Sequence, residues 1–249
     1  MKKLTLLAAI AAATAASFAN ADTVLGVYAG YGSWDSSYDG KAGDPSITLK
    51  DLGVKDHKNK FFYVALEHPI PLVPNIRLSH TDISTKQTAD ISRTFTIDDV
   101  TYTQGDTVNS EFDLTHTDAT LYYEILDNWV NLDVGLTVRQ FDGFVYAAST
   151  TSPLIKTKEK VDEALPMLYG KAQFDLPLTG LSVGVEGNYV SYSGDKVTDY
   201  SAKVSYLFDS VLDVGLEAGY RKLSLTVDED DLQAKVDIKG PYAAVIAHF

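Results

Sequence analysis

The sequence predicts an all-β protein, a transmembrane antiparallel up-and-down β-barrel of about ten strands. Three observations point there. Apolar and polar residues alternate strictly over much of the chain, as in Val130, Leu132, Val134, Leu136 and Val138 against Asn131, Asp133, Gly135, Thr137 and Arg139. A period of two puts each set on one side of a sheet. The alternating runs often reach 13 residues or more, where a membrane strand needs ~9–11 and a soluble one averages ~5–6. Short, turn-rich joints also take turns with longer polar ones, as in a barrel with tight turns on one side of a bilayer and long loops on the other.

The chain opens with Lys2 and Lys3, an apolar Ala-rich stretch from Leu4 to Phe18, and Ala19-Asn20-Ala21. This order of basic, apolar and small residues is that of a secretory signal peptide cleaved after Ala21, and the apolar run falls short of the ~20 residues of a spanning helix. Residues 22–249 are then the barrel domain. The 249 residues include no cysteine, which excludes a disulfide framework, a thiolate zinc site, an iron–sulfur cluster and a Cys nucleophile. A net charge of −13 argues against nucleic acid, whose phosphates demand a basic surface.

Ten strands follow from the alternation, over 23–34, 60–68, 75–84, 111–126, 129–146, 164–176, 181–193, 198–209, 211–226 and 233–249. Eight spanning strands with one hairpin confined to a loop is the alternative. Tight joints fall at Pro69–Asn75, Asp127-Asn128, Pro177–Gly180 and Asp209-Ser210, and longer ones at 35–59, 85–110, 147–163, 194–197 and 227–232. An even strand count brings both termini to the turn side. Helical periodicity is best, though short and charged, over Lys156–Leu165. Aromatic residues gather near strand ends: Trp34, Phe141, Phe144, Tyr146, Tyr192, Tyr200 and Tyr220 toward the loops, Trp129, Phe174, Phe208 and Phe249 toward the turns. That is the distribution of two interfacial girdles. Closure follows because lipid offers an open sheet edge no hydrogen-bond partner.

The last residues, Tyr242-Ala243-Ala244-Val245-Ile246-Ala247-His248-Phe249, form an alternating strand closed by a terminal Phe. With the leader and the strand pattern, this resembles the small β-barrel proteins of the Gram-negative outer membrane. The resemblance implies residence in the cell outer membrane, recognition of Phe249 by the barrel-assembly machinery, and outer-membrane lipid and lipopolysaccharide as surroundings. Pro241 departs from an ideal ladder because proline donates no hydrogen bond, so a bulge is expected there.

The inward register collects Glu67, Arg77, Asp118, Glu124, Asp133, Arg139, Lys171, Asp175, Glu186, Lys203, Asp209, Asp213, Glu217 and Arg221, with His116. Nine acids face five bases. A barrel of ~8 strands is just filled by side chains and open channels belong to ~16–18, so these charges either pair as a hydrated plug or line a narrow, cation-preferring pore. Two His-Thr-Asp triplets, His80-Thr81-Asp82 and His116-Thr117-Asp118, put each His and Asp on one strand face, where an aspartate orients an imidazole. Omptin-type barrel proteases are similar in using a rim His–Asp pair. Acids in the long joints, Asp35, Asp39, Asp44, Asp98, Asp99, Asp106 and Asp228–Asp231, lack EF-hand spacing and read as solvated loops.

The expectation is therefore a monomeric structural or narrow-channel barrel without a cofactor, the alternatives being a rim hydrolase using His116 with Asp118 and a surface protein binding a ligand or ion through its loops. Arginine at Leu132 or Leu216, on the lipid face, is expected to cost ~2–4 kcal/mol, and much less at Thr137 on the other face.

Overall fold

The computed structural model describes residues 25–43, 46–97, 99–152, 154–208, 213–229 and 232–248. The segment expected to be a leader, Phe249, Asp209, Asp44, Asp98, Asp230 and Asp231 lie outside them. The described residues form strands and no helix. Numbered in chain order, ten strands make the barrel. They are β1 (Gly26–Ala42), β3 (His57–Glu67), β4 (Asn75–Asp82), β9 (His116–Leu126) and β10 (Val130–Phe141), followed by β13 (Ala164–Asp175), β14 (Leu181–Tyr192), β15 (Asp195–Phe208), β16 (Asp213–Glu229) and β17 (Leu232–His248). They pair in the order β17-β16-β15-β14-β13-β10-β9-β4-β3-β1, and β17 pairs with β1 to close the ring. Ten strands span, not eight.

Alternation sorts two solvents. Tyr31, Val64, Leu78, Leu121, Leu132, Leu136, Leu168, Val185, Val204, Leu216 and Val245 stand exposed on the outer wall, while Asp118, Asp133, Arg139, Asp199 and Glu217 are buried inside. An apolar belt wrapped around a polar interior is the pattern of a barrel in hydrocarbon. The fold is thus a transmembrane antiparallel barrel. Trp129 with Phe174, and Tyr206 with Phe208, meet edge to face at the turn end of this belt.

Beyond the belt the wall continues. β5 (Ser84–Asp90), β8 (Thr107–Asp113), β11 (Gly143–Ser149) and β12 (Lys156–Val161) form a second sheet in the order β12-β11-β8-β5. Each sits above the barrel strand next to it in sequence, so the order repeats that of β13-β10-β9-β4. Backbone bonds Leu114 N–H to Ile83 O (2.8 Å) and Phe141 N–H to Glu163 O (3.0 Å) stitch the junction. The segment 156–165 is therefore strand, not helix: Thr157 and Val161 turn inward while Lys156, Lys158 and Lys160 face out, a period of two. The long joints also hold β2 (Ile47–Thr48) and a small hairpin of β6 (Phe95–Ile97) and β7 (Val100–Tyr102).

These joints are not simply solvated. Their acids Asp35, Asp39 and Asp99 are exposed, but Ile47, Leu49, Leu52, Val54, Ile91, Phe95, Ile97 and Tyr102 are buried with Trp34, Phe141, Leu223 and Ile238 in one apolar core. That core fills the extended wall at the loop end. Trp34 and Phe141 belong to it, and Phe144 and Tyr146 belong to β11, so none of the four is in a girdle. Trp34 shares inward parity with Gly32, and its indole N–H reaches Gly240 O at 3.1 Å. On the loop side the outward rings are Tyr189, Tyr192, Tyr200 and Tyr220.

The joints expected at 194–197 and 227–232 are much shorter. β14 turns into β15 through Ser193 and Gly194, both at positive φ (52° and 102°), and β16 and β17 remain paired as far as Glu229 and Leu232. Pro241 makes no bulge: it faces outward opposite Tyr220, and the β1–β17 register is the same on either side of it, Trp34 with Tyr242 and Ser37 with Lys239. A register shift falls instead between Leu132 and Asp133 against β9.

The register revises one energetic expectation. Thr137 is fully buried, between Thr120 Oγ1 at 2.8 Å and Asn188 Oδ1 at 2.6 Å, so arginine there overpacks a crowded layer and is not cheap. Ser205, facing a roomy part of the interior, is the fair comparison. In urea titrations of vesicle-embedded protein, Leu216→Arg is expected to lose ~2–4 kcal/mol and Ser205→Arg a small fraction of that; equal losses contradict the inside–outside assignment.

Candidate functional site

Among the described residues, polar side chains from many strands converge in the interior, which divides into three levels. Nearest the apolar core, Arg139 of β10 grips Asp118 of β9 through Nε–Oδ1 (2.8 Å) and Nη2–Oδ2 (2.7 Å), and donates from Nη2 to Asp199 Oδ2 of β15 at 2.7 Å. Arg221 of β16 takes Asp199 from the other side at 2.9 and 2.7 Å and reaches across the bore to Thr81 Oγ1 of β4 at 3.1 Å. Its guanidinium lies over the Trp34 ring, 4.9 Å from the centroid. Arg139 has no exposed surface, and Asp118 and Asp199 have almost none. Two cations and two anions make this level neutral.

One level toward the turns, Arg77 of β4 meets Glu186 of β14 across the ring with both terminal nitrogens, at 2.8 and 3.2 Å. Lys203 of β15 bridges Glu186 (3.5 Å) and Glu217 (3.0 Å), and the Tyr242 hydroxyl donates to Glu217 at 3.0 Å. This set is also neutral. Glycines make room for its aromatic neighbours: a Cβ at Gly30 would strike the Tyr63 ring, and one at Gly219 would lie 2.7 Å from the Tyr242 ring. The cavity between the two levels has a volume of only about 70 Å³.

Below them the bore widens into a vestibule of about 460 Å³ that reaches the turn-end residues Asp127, Pro177 and His248. Lys171 pairs with Asp133 at 3.0 Å beside it. The other carboxylates here accept from neutral donors: Glu67 from the Tyr122 hydroxyl (2.6 Å), Glu124 from Asn75 Nδ2 (2.9 Å), and Asp175 from Asn131 (2.7 Å) and Gln173 (2.9 Å). Asp213 lines the same space. Most of the remaining inward carboxylates thus lie toward the wide end, while the narrow levels are charge-balanced.

The His–Asp pairs do not assemble. His116 Nδ1 meets the carbonyl of Leu114 at 2.8 Å, its ring leans on Phe141, and both oxygens of Asp118 are held by Arg139. His80 and Asp82 lie on the outer wall, His80 Nδ1 against Thr117 Oγ1 at 2.9 Å and its ring beside Phe62. Among the described residues no group of three or more His, Cys, Asp or Glu is placed to hold a metal ion. Asp199, the acid shared by two arginines, is a residue that the sequence reading passed over. Its parity with Lys203 on the same strand was the available signal.

Comparisons with known proteins add little to this geometry. No family model matches the chain, and no curated protein matches it. Among solved structures it is similar to the outer membrane protease OmpT from Escherichia coli, with a TM-score of 0.43 and 9% identity over 94% of this chain and 99% of that one.

Two outcomes test the interior. Arg139→Met leaves Asp118 buried without its cation and Asp199 with Arg221 alone, which costs about 3–5 kcal/mol; urea titration should show that loss, and a smaller one for Arg139→Met combined with Asp118→Asn. In the core above, burial pushes the Tyr102 phenol up to about 12, while its hydroxyl donates to Ala147 O at 2.9 Å. The neutral phenol is then favoured by folding, so its contribution is complete below the unfolded value near 10 and is lost as pH rises from there to about 12. Tyr102→Phe should flatten the decline of the urea midpoint over that window.

Proposed function

We propose that the protein is a structural, non-conducting barrel of the outer membrane that carries a folded, apolar-cored projection beyond one face of the bilayer. The observation that carries this reading is what crosses the bore: two charge-balanced levels span it, and an apolar core lies beyond them at the loop end. A cation filter works through acids left uncompensated at the constriction. Here Asp118, Asp199, Glu186 and Glu217 each have a cationic partner within 3.5 Å. Closing narrow levels with neutral sets also keeps any single charge from being stranded away from water.

A rim hydrolase finds less support, because the His116 imidazole and the Asp118 carboxylate are each engaged elsewhere. The outer membrane as location, with the turn end toward the periplasm, draws on the leader-like start of the chain, the alternating final strand and the closed barrel. Lipid, including lipopolysaccharide, and the assembly machinery are then its partners, and closure favours a monomer within the bilayer, since the barrel ring offers a second copy no edge there.

Planar-bilayer recording tests the reading. Protein whose folding is verified by heat-modifiable gel migration is expected to give no conductance steps at any voltage the bilayer tolerates. Reproducible cation-selective steps would overturn the non-conducting reading in favour of a narrow channel.

A further inference from the structure

Two of the turn-end joints share an unusual build. Residues 69–74 read Pro-Ile-Pro-Leu-Val-Pro and residues 176–181 read Leu-Pro-Leu-Thr-Gly-Leu. In the first, Val73 N–H bonds to Ile70 O at 3.4 Å; in the second, Thr179 N–H bonds to Leu176 O at 3.3 Å. Each is a four-residue turn with proline second and leucine third, and the leucines sit at positive φ, 68° for Leu72 and 65° for Leu178. That position of a type II turn calls for glycine or asparagine, since a branched side chain is strained there. Leu72 is nonetheless 79% exposed and Leu178 fully exposed.

Water gives no reason to hold large apolar side chains in a strained pose at a loop tip. Backbone outliers that persist are a pointer to function. Neither segment carries a charged residue, in a chain that is 22% charged. The first continues the lipid-facing belt, and the second joins that belt at Leu176 and Leu181 while its tip rims the mouth of the vestibule. The first joint is held against the outer wall by the Tyr123 hydroxyl, which donates to Leu72 O at 3.0 Å, with Ile70, Val73 and Ile76 exposed around it. The second is flanked by the exposed outward side chains of Phe174, Leu176, Leu181 and Tyr206, and Leu207 N–H bonds to Gly180 O at 2.9 Å. In the ring of strands the two joints lie on well-separated arcs, one between β3 and β4 and the other between β13 and β14.

We propose that these twin Pro-Leu turns are membrane anchors, whose leucines enter the acyl-chain boundary of the turn-side leaflet and fix the depth and tilt of the barrel. The partner is lipid hydrocarbon. Apolar side chains at an interface gain by immersion in it, and two anchors on separate arcs resist tilting better than one. The inference rests on the barrel spanning a bilayer but not on whether its bore conducts.

The absence of native cysteine makes single spin labels unambiguous. Leu72→Cys, Leu178→Cys, Leu216→Cys in mid-belt and Leu154→Cys, an exposed leucine at the loop end, are labelled and placed in phosphatidylcholine vesicles. Labels at 72, 178 and 216 should collide with oxygen more readily than with a water-soluble nickel chelate, and the label at 154 the reverse. Chelate access at 72 and 178 equal to that at 154, with 216 shielded, overturns the anchor proposal alone. Chelate access at 216 as well overturns the spanning barrel and the proposal together. A second measurement reverses sign between the two views. Glycine relieves strain at positive φ, so Leu72→Gly with Leu178→Gly should raise the urea midpoint or leave it unchanged if the turns stand in water. Anchoring predicts a lower midpoint in vesicles.

Discussion

The constraint on which the rest depends is that a peptide group in hydrocarbon has no partner but another peptide group. Ten strands satisfy it only because β17 returns to pair with β1, over the long register from Tyr28–His248 to Ala42–Ala234. Closure then dictates the chemistry of each strand. One side meets lipid and is apolar; the other meets a bore too narrow for bulk water. Charges in that bore must find one another, and Arg77 with Glu186, or Arg139 with Asp199, do so between strands that share no backbone ladder.

The distribution of charge along the bore follows from the same confinement. Where the interior is tight, each anion is held by a cation and the sets sum to zero. Where it opens, carboxylates such as Glu124 and Asp175 are held by amide donors. A count of inward acids against inward bases therefore misleads when taken over the whole barrel. The surplus is real, but most of it lies toward the vestibule and not at the constriction.

Much of the fold was legible because a period of two is a strong signal and each strand repeats it. The ten spanning strands and the shared side of Glu67, Lys171 and Glu217 come from that parity. What stayed hidden was of another kind. The apolar core at the loop end needed the knowledge that Ile47, Phe95 and Tyr102, scattered among Asp, Ser, Thr and Gly, share one interior, and no local pattern links them. Trp34 and Phe141 were misplaced because nearness to a strand end says girdle while parity says core, and parity wins. The triplet His116-Thr117-Asp118 does align its ends on one face, but Arg139 on the next strand claims the carboxylate. Spacing along a chain carries no information about a competitor from elsewhere in the ring.

The seam between the first and last strands also bears on how such a protein comes into being. The two halves of that ladder are separated by nearly the whole polypeptide, so the cylinder cannot shut until its final segment has been synthesised and delivered. Until then Gly26–Ala42 presents an unmatched edge, and pairings between residues this far apart in sequence form slowly. A ring of this kind is completed in one late event, and whatever shelters the unjoined edge beforehand is as much a requirement of the fold as any contact within it.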